Sequence, residues 1–255
     1  MTKKLESLAN VRRLTSKNFK KIKEILYERA KKVKIMKKSK KPFYIYTIGL
    51  IIVLVSDFIL RNVTLPTYPS DIDIGIALGV EWLILLVLLT FWIPKVENNK
   101  LESIGFGKFK RRYLWKGILT YFILLIVWMG SYFVLQAIGL EGLRSLQPTI
   151  RKHSFPILFS LFLTGTFLEE IFYRGYLIER LISLTGKSWL AGLVSWIAFT
   201  FVHIKFFGLG PTLDVGVLSA GLVILYLKER SIWPCIILHG INDAFGFLMA
   251  PLFML

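Results

Sequence analysis

The fold is restricted most by a series of apolar stretches, each about as long as a membrane-spanning helix. A helix needs roughly 20 mostly apolar residues to cross the hydrocarbon core of a bilayer. Windows of this kind lie at about 43–62, 75–94, 115–138, 155–183, 188–207, 213–228 and 232–253. The sequence therefore predicts an all-α, polytopic transmembrane helical bundle of about seven spans, within a range of six to eight.

The composition is typical of a membrane protein, and the distribution of charge argues against a nucleic-acid partner. Of the 255 residues 55% are hydrophobic, and the mean hydropathy of +0.59 exceeds that of ordinary soluble domains. The formal net charge is +17, but residues 1–41 hold sixteen Lys or Arg against three acids and account for +13 of it. We therefore expect no nucleic-acid partner. The single cysteine, Cys235, excludes an internal disulfide and a cysteine zinc site.

The basic tail is compatible with two interpretations. Ile22, Leu26, Ala30 and Val33 recur every three to four residues among lysines, a pattern typical of an amphipathic helix lying on anionic lipids. The alternative is a solvated tail that only keeps the N-terminus inside. No short apolar core with a small-residue cleavage site follows Met1, so we do not predict a removable signal peptide.

Charge and hydropathy divide the chain into three segments. Residues 1–42 form a basic cytoplasmic tail, residues 43–150 hold three N-terminal transmembrane helices, and residues 151–255 hold the helices that carry buried polar residues. A second basic cluster, between Lys95 and Lys116, falls on the same side as the tail, as the positive-inside rule requires. We expect an integral protein of a bacterial plasma membrane with a cytoplasmic N-terminus.

A cluster of three charged residues lies near the middle of the fourth apolar window. Glu169, Glu170 and Arg174 lie within it, and each charge near the middle of a bilayer costs several kcal/mol. Glu170 and Arg174 are four residues apart and can pair, whereas Glu169 lies about 100° away around a regular helix. A buried carboxylate without its own cation is a candidate general base. The alternative is that both glutamates only pair with Arg174 and Arg180.

Two histidines in later apolar windows favour a catalytic role for Glu169 over simple ion pairing. His203 lies in the fifth window and His239 in the seventh, followed by Asn242 and Asp243. Glu169 and His203 each lie about 15 residues from the presumed cytoplasmic helix ends, or roughly 20 Å deep, and helix tilt would bring His239 within reach. Peptide hydrolysis needs a base for water and donors for the developing negative charge, and these residue types supply both.

The three motifs resemble those of the CAAX protease and bacteriocin-processing (CPBP, or Abi) intramembrane endopeptidases, which include the eukaryotic type II CAAX prenyl endopeptidase. The family pattern is Glu-Glu-x-x-x-Arg, then Phe-x-x-x-His, then His-x-x-x-Asn/Asp, on separate transmembrane helices. This chain supplies, in order, Glu169-Glu170 with Arg174, Phe199 with His203, and His239 with Asp243. The resemblance covers roughly residues 155–250 and implies a membrane-embedded hydrolase.

The resemblance also implies roles for the individual residues. Glu169 would activate a water with assistance from His203, and His239 with Asp243 would stabilise the tetrahedral oxyanion. Because a carboxylate is a poor oxyanion donor, Asp243 is better suited to orienting His239, or the adjacent Asn242 donates instead. The supporting residues would be Glu170, Arg174, Asn242 and Phe199.

Metal dependence stays open at the level of sequence. Glu169, His203 and His239 would suit zinc with a water in the fourth position. They come from three helices, however, and lack a local His-Glu-x-x-His arrangement. We favour a glutamate-activated water with no required cofactor, and zinc is the alternative.

Two other function classes compete with an endopeptidase. One is a non-catalytic bacteriocin immunity or membrane partner-binding protein, and the other is a small proton-coupled transporter. A transporter would use the other intramembrane acids, Asp57 and Glu81, which we interpret as interfacial or helix-pairing residues near the outer ends of their helices. As partners we expect a peptide or protein substrate at the membrane, and anionic lipids at the basic tail.

Overall fold

The computed structural model describes residues 43–66 and 69–250, and all regular structure in these ranges is helical. The predicted basic tail, residues 1–42, lies outside the described residues. Six helical segments are long and apolar enough to cross a membrane: Phe43–Thr64, Asp71–Val96, Arg111–Ala137, Phe155–Thr185, Ser188–Phe207 and Leu209–Glu229. The predicted all-α polytopic bundle is therefore confirmed, and the protein is an integral membrane protein.

Each span consists of one or two helices. We number the α-helices in chain order: α1 Phe43–Ile59, α2 Asp71–Val87, α3 Arg111–Ala137, α4 Gln147–Ile150, α5 Phe155–Leu163, α6 Ile178–Thr185, α7 Ser188–Phe201, α8 Ile204–Phe207, α9 Leu209–Glu229 and α10 Trp233–Asp243. Wider π-helical turns extend four of them: Leu60–Thr64 after α1, Leu88–Val96 after α2, Thr164–Leu177 between α5 and α6, and Ala244–Met249 after α10. Short 3₁₀ turns at Leu101–Ile104 and Leu143–Leu146 complete the described elements.

The last two predicted spans differ from the structure in their lengths. The sixth was predicted as 213–228, but α9 already begins at Leu209, directly after Gly208 with its positive φ of 75°. Pro211 is tolerated in the first turn, where backbone N–H groups have no partner within the helix. The seventh window, 232–253, corresponds to α10 and its π-helical extension, Trp233–Met249, and its last residues lie outside the described range.

The described helices belong to one packed unit, residues 43–255. Within it the fourth and sixth spans are the most buried, whereas α3 turns most of its apolar side chains outward, as expected of a helix facing lipid. Helix α10 packs closely on α3 at Gly117, where a β-carbon would lie 2.8 Å from the carbonyl oxygen of Pro234. The fourth span, which carries the two glutamates, therefore runs through the centre of the bundle.

A buried ion pair fastens the end of the second span to α6. Glu97 is completely buried and pairs with Arg180, whose Nε donates to Glu97 Oε1 at 3.1 Å. Tyr176 donates its hydroxyl to the same oxygen at 2.6 Å, and Arg180 Nη2 donates to Ser103 Oγ at 3.0 Å. Because both charges are paired and hydrogen-bonded, their burial is tolerated.

We expect Glu97→Gln to destabilise the protein by about 3 kcal/mol, because it leaves the Arg180 cation buried without an anion. Glu102→Gln is the matched control, since Glu102 lies in the same segment but is exposed. Thermal unfolding of the two purified variants in detergent measures the difference. Equal melting temperatures for Glu97→Gln and Glu102→Gln would contradict this account of the pair.

Candidate active site

The two glutamates lie on the π-helical stretch Thr164–Leu177 rather than on the regular helix that the sequence predicts. Every residue of this stretch except Phe167 is buried. Wider π turns inside α-helices occur mainly at functional sites. The altered turn changes which neighbours Glu169 and Glu170 reach, and the two side chains enter different ion-pair networks.

Glu170 is at the centre of the first network. Its Oε1 accepts hydrogen bonds from Arg174 Nη1 at 2.9 Å and lies 2.8 Å from His239 Nδ1. Arg174 Nη2 donates to Ser219 Oγ at 3.0 Å. Glu170 and Arg174 have no exposed surface at all, and His239 is nearly as deeply buried. The predicted Glu170–Arg174 pair is therefore present, and it links the fourth span to α9 and α10.

Glu169 forms the second network with residues from the first two spans. Its Oε1 lies 2.8 Å from Arg61 Nη2. Arg61 Nε also lies 3.0 Å from Asp57 Oδ1 and 3.1 Å from Glu81 Oε1. The expectation that Glu169 has no cation of its own is therefore wrong.

Arg180 is not a partner of either site glutamate, contrary to the alternative considered from sequence, because it pairs with Glu97. Asp57 and Glu81, interpreted from the sequence as interfacial or helix-pairing residues, are each only 2% exposed. Glu81 pairs the second span with the first through Arg61, and Asp57 joins the first span to the fourth by accepting the Tyr173 hydroxyl hydrogen. Sequence reasoning missed Arg61, although Asp57 and Arg61 show the same four-residue spacing in an apolar run as Glu170 and Arg174.

The buried ring of Phe199 connects the two networks. The Arg174 guanidinium lies over this ring at 4.1 Å from its centroid, a cation–π arrangement. The ring centroids of His203 and His239 lie 4.8 and 5.9 Å from that of Phe199, and the Tyr173 ring packs edge-on at 5.1 Å. Both predicted site histidines therefore contact one aromatic side chain that is itself held by the fourth span.

His203 is the N-cap residue of the short helix α8, two residues after α7 ends, and is partly buried. Its Nδ1 lies 2.7 Å from the carbonyl oxygen of Phe199. Since a carbonyl can only accept, Nδ1 carries the hydrogen, and in the neutral ring Nε2 keeps its lone pair. His203 and His239 both lie within electrostatic reach of Glu169. The geometry thus leaves one basic nitrogen of His203 available near the carboxylate.

His239 lies between two carboxyl groups, with Nδ1 at Glu170 and Nε2 at 3.5 Å from Asp243 Oδ1. Asn242 donates its Nδ2–H to the same Asp243 oxygen at 3.0 Å. The fourth span can approach this group because residue 165 is glycine: a β-carbon there would lie 2.1 Å from Asp243 Oδ2. The contacts of His239 fix the orientation of its ring.

The zinc set considered from sequence fits these contacts poorly. Glu169 Oε1 is paired with Arg61, and both ring nitrogens of His239 face carboxylates, Nδ1 that of Glu170 and Nε2 that of Asp243. Among residues 43–66 and 69–250, no three or more His, Cys, Asp or Glu side chains are arranged so that they could hold a metal ion. We therefore derive no step through a metal.

Fold and site together define a polytopic membrane protein with a buried carboxylate–histidine centre. Residues 151–245 match the family model of the type II CAAX prenyl endopeptidase Rce1-like proteins, which confirms the resemblance seen in the motifs. The match spans all the predicted site residues, from Glu169 to Asp243, and supports a CAAX-type protease. Arg61, Asp57 and Glu81 lie outside it. Neither the curated proteins nor the solved structures gave a match.

We expect Gly165→Ala to destabilise the protein by about 1–3 kcal/mol, because the added methyl group cannot fit beside the Asp243 carboxylate without a shift of the backbone. Gly130→Ala in α3 is the control, since a β-carbon there meets nothing within 4 Å and alanine is the better helix former. Thermal unfolding would show a lower melting temperature for Gly165→Ala and an unchanged or higher one for Gly130→Ala. A Gly165→Ala variant as stable as the wild type would contradict the close contact.

Proposed function

We propose that the protein is an intramembrane endopeptidase that hydrolyses a peptide bond with a water activated by Glu169. The observation that carries this proposal is that Glu169 lies buried on the same π-helical stretch as Glu170, which holds His239, inside the segment that matches the CAAX-type family. A carboxylate and an imidazole near one another can share the proton transfers that hydrolysis requires. Burial strengthens these interactions, since little water screens the charges.

In this mechanism Glu169 accepts a proton from water while the water oxygen attacks the substrate carbonyl carbon. The carbonyl oxygen becomes an oxyanion, and His239, held between Glu170 and Asp243, stabilises it. His203 assists the water through Nε2. The proton then passes to the leaving nitrogen as the carbon–nitrogen bond breaks, which releases a carboxylic acid and an amine. Asn242 orients Asp243, and Glu170, Arg174 and Phe199 hold the rings in place.

The substrate is a peptide or protein that reaches the site from the membrane. The basic tail would bring the protein near anionic lipids, with its N-terminus on the cytoplasmic side of a bacterial plasma membrane. A farnesylated CAAX peptide is the first substrate to test, because the matched family is described as CAAX prenyl endopeptidases.

We expect Glu169→Gln to lower the turnover number by about 10²–10⁴-fold, because the amide cannot accept the proton of the attacking water. The variant should still fold, since Arg61 keeps Asp57 and Glu81 as anionic partners. The measurement is cleavage of a quenched fluorogenic farnesylated CAAX peptide by the purified full chain, with Glu102→Gln as the control that keeps full activity.

Substrates other than a CAAX peptide can be sought by comparing the membrane proteomes of cells that contain the wild-type or the Glu169→Gln protein. A peptide or protein whose cleaved form disappears in the variant would identify the substrate. Identical cleavage profiles, together with no turnover of the CAAX peptide by the wild type, would rule out the endopeptidase and favour a protein that only binds a partner.

The proposed chemistry needs no metal, and we expect activity to survive chelation. After dialysis against 1,10-phenanthroline the purified protein should keep its turnover number within about twofold, since the base and the oxyanion donor are side chains. Loss of activity that returns on addition of zinc, with one zinc per chain by elemental analysis, would instead establish a metal-dependent enzyme.

A further inference from the structure

Arg61 brings the first span into the candidate active site. It is the sole cationic residue between Phe43 and Thr64, and its Nη2 lies 2.8 Å from Glu169 Oε1. The family match begins only at residue 151. The part of the chain that carries the motifs therefore lacks the cation paired with the carboxylate of Glu169.

Arg61 is held by carboxylates other than Glu169. Its Nε contacts Asp57 Oδ1 at 3.0 Å and Glu81 Oε1 at 3.1 Å, and its Nη2 contacts Glu81 Oε2 at 3.3 Å. The two oxygens of Glu81 bind Nε and Nη2 on one edge of the planar guanidinium, and Asp57 shares Nε, so these contacts restrict its rotation. Because two carboxylates fix the guanidinium, we interpret Arg61 as a rigid support rather than a latch that moves away.

The end of the first span is also tied to the elements that carry Glu169 and His203. Tyr173, on the same π-helical stretch as Glu169, donates its hydroxyl to Asp57. Lys205, two residues after His203, donates from Nζ to the backbone oxygens of Asn62 at 3.0 Å and Leu65 at 2.6 Å. Arg61 thus lies on a segment that both sides of the site hold in place.

We propose that Arg61 is a positioning residue that holds Oε1 of Glu169 and leaves its second oxygen for the attacking water. The inference rests on the proposed function of Glu169 as the base. A carboxylate held by one oxygen keeps a fixed orientation toward the substrate, and a displacement of about 1 Å in an active site can cost about 10²-fold in rate.

The test must separate positioning from folding, because Arg61→Gln alone would leave Asp57 and Glu81 buried without a cation. The decisive variant is therefore the triple variant Arg61→Gln, Asp57→Asn and Glu81→Gln, which removes every charge of this network except that of Glu169. One comparison is Arg61→Lys, which keeps the positive charge but loses the planar guanidinium group. The control is Arg112→Gln, which removes a largely exposed cation of α3. Each purified full chain is assayed for melting temperature, kcat and KM on the farnesylated CAAX peptide.

We expect the triple variant to remain folded but to melt below the wild type, because Glu169 loses its cation, while kcat falls about 10²-fold and KM changes less than about threefold. Arg61→Lys should recover part of the loss, because a cation returns without the two-pronged geometry. A triple variant with kcat near that of wild type, or one in which only KM changes, would overturn the inference about Arg61. If Glu169→Gln is inactive in the same assay, the proposed function still stands. Equal activity of wild type and Glu169→Gln would overturn both.

Discussion

The arrangement of the bundle depends on the pairing of charges in an apolar interior. An unpaired carboxylate or guanidinium at this depth would cost several kcal/mol, and the two adjacent glutamates cannot share one cation without repelling each other. The structure separates them: Glu170 pairs with Arg174 on its own span, and Glu169 pairs with Arg61 on the first span. The position of the first span against the fourth follows from this requirement.

The same requirement accounts for the polar residues around the site. Arg61 pairs with Asp57 of its own span and with Glu81 of the second span. Because Arg61 also pairs with Glu169, the second span lies close to the fourth. Glu170 contacts His239, which holds α10 against the fourth span, and Arg174 donates a hydrogen bond to Ser219 of α9. Phe199 supplies a ring face for the Arg174 cation. Residues that neutralise buried charge thus also align five other helices with the fourth span: those of the first two spans, α7, α9 and α10.

The sequence predicts the helices well because apolar length is a local property, and the six spans lie close to their windows. It predicts the Glu170–Arg174 pair for the same reason, since the two residues share one helix face. The Arg61–Glu169 pair is a contact between residues 108 positions apart and depends on how the spans pack. The π-helical stretch Thr164–Leu177 is equally non-local, because nothing in its composition distinguishes it from an α-helix.

The surroundings of the two glutamates indicate which of them can meet water. Glu170 is 0% exposed, and its Oε1 is engaged by both Arg174 and His239. Glu169 keeps a small exposed surface and lies beside Arg61, whose side chain is 18% exposed. A base must reach its proton within hydrogen-bond distance, so a residue sealed by protein on every side cannot serve. The difference in access supports the proposal that Glu169 is the base and that Glu170 holds His239, independently of the motif.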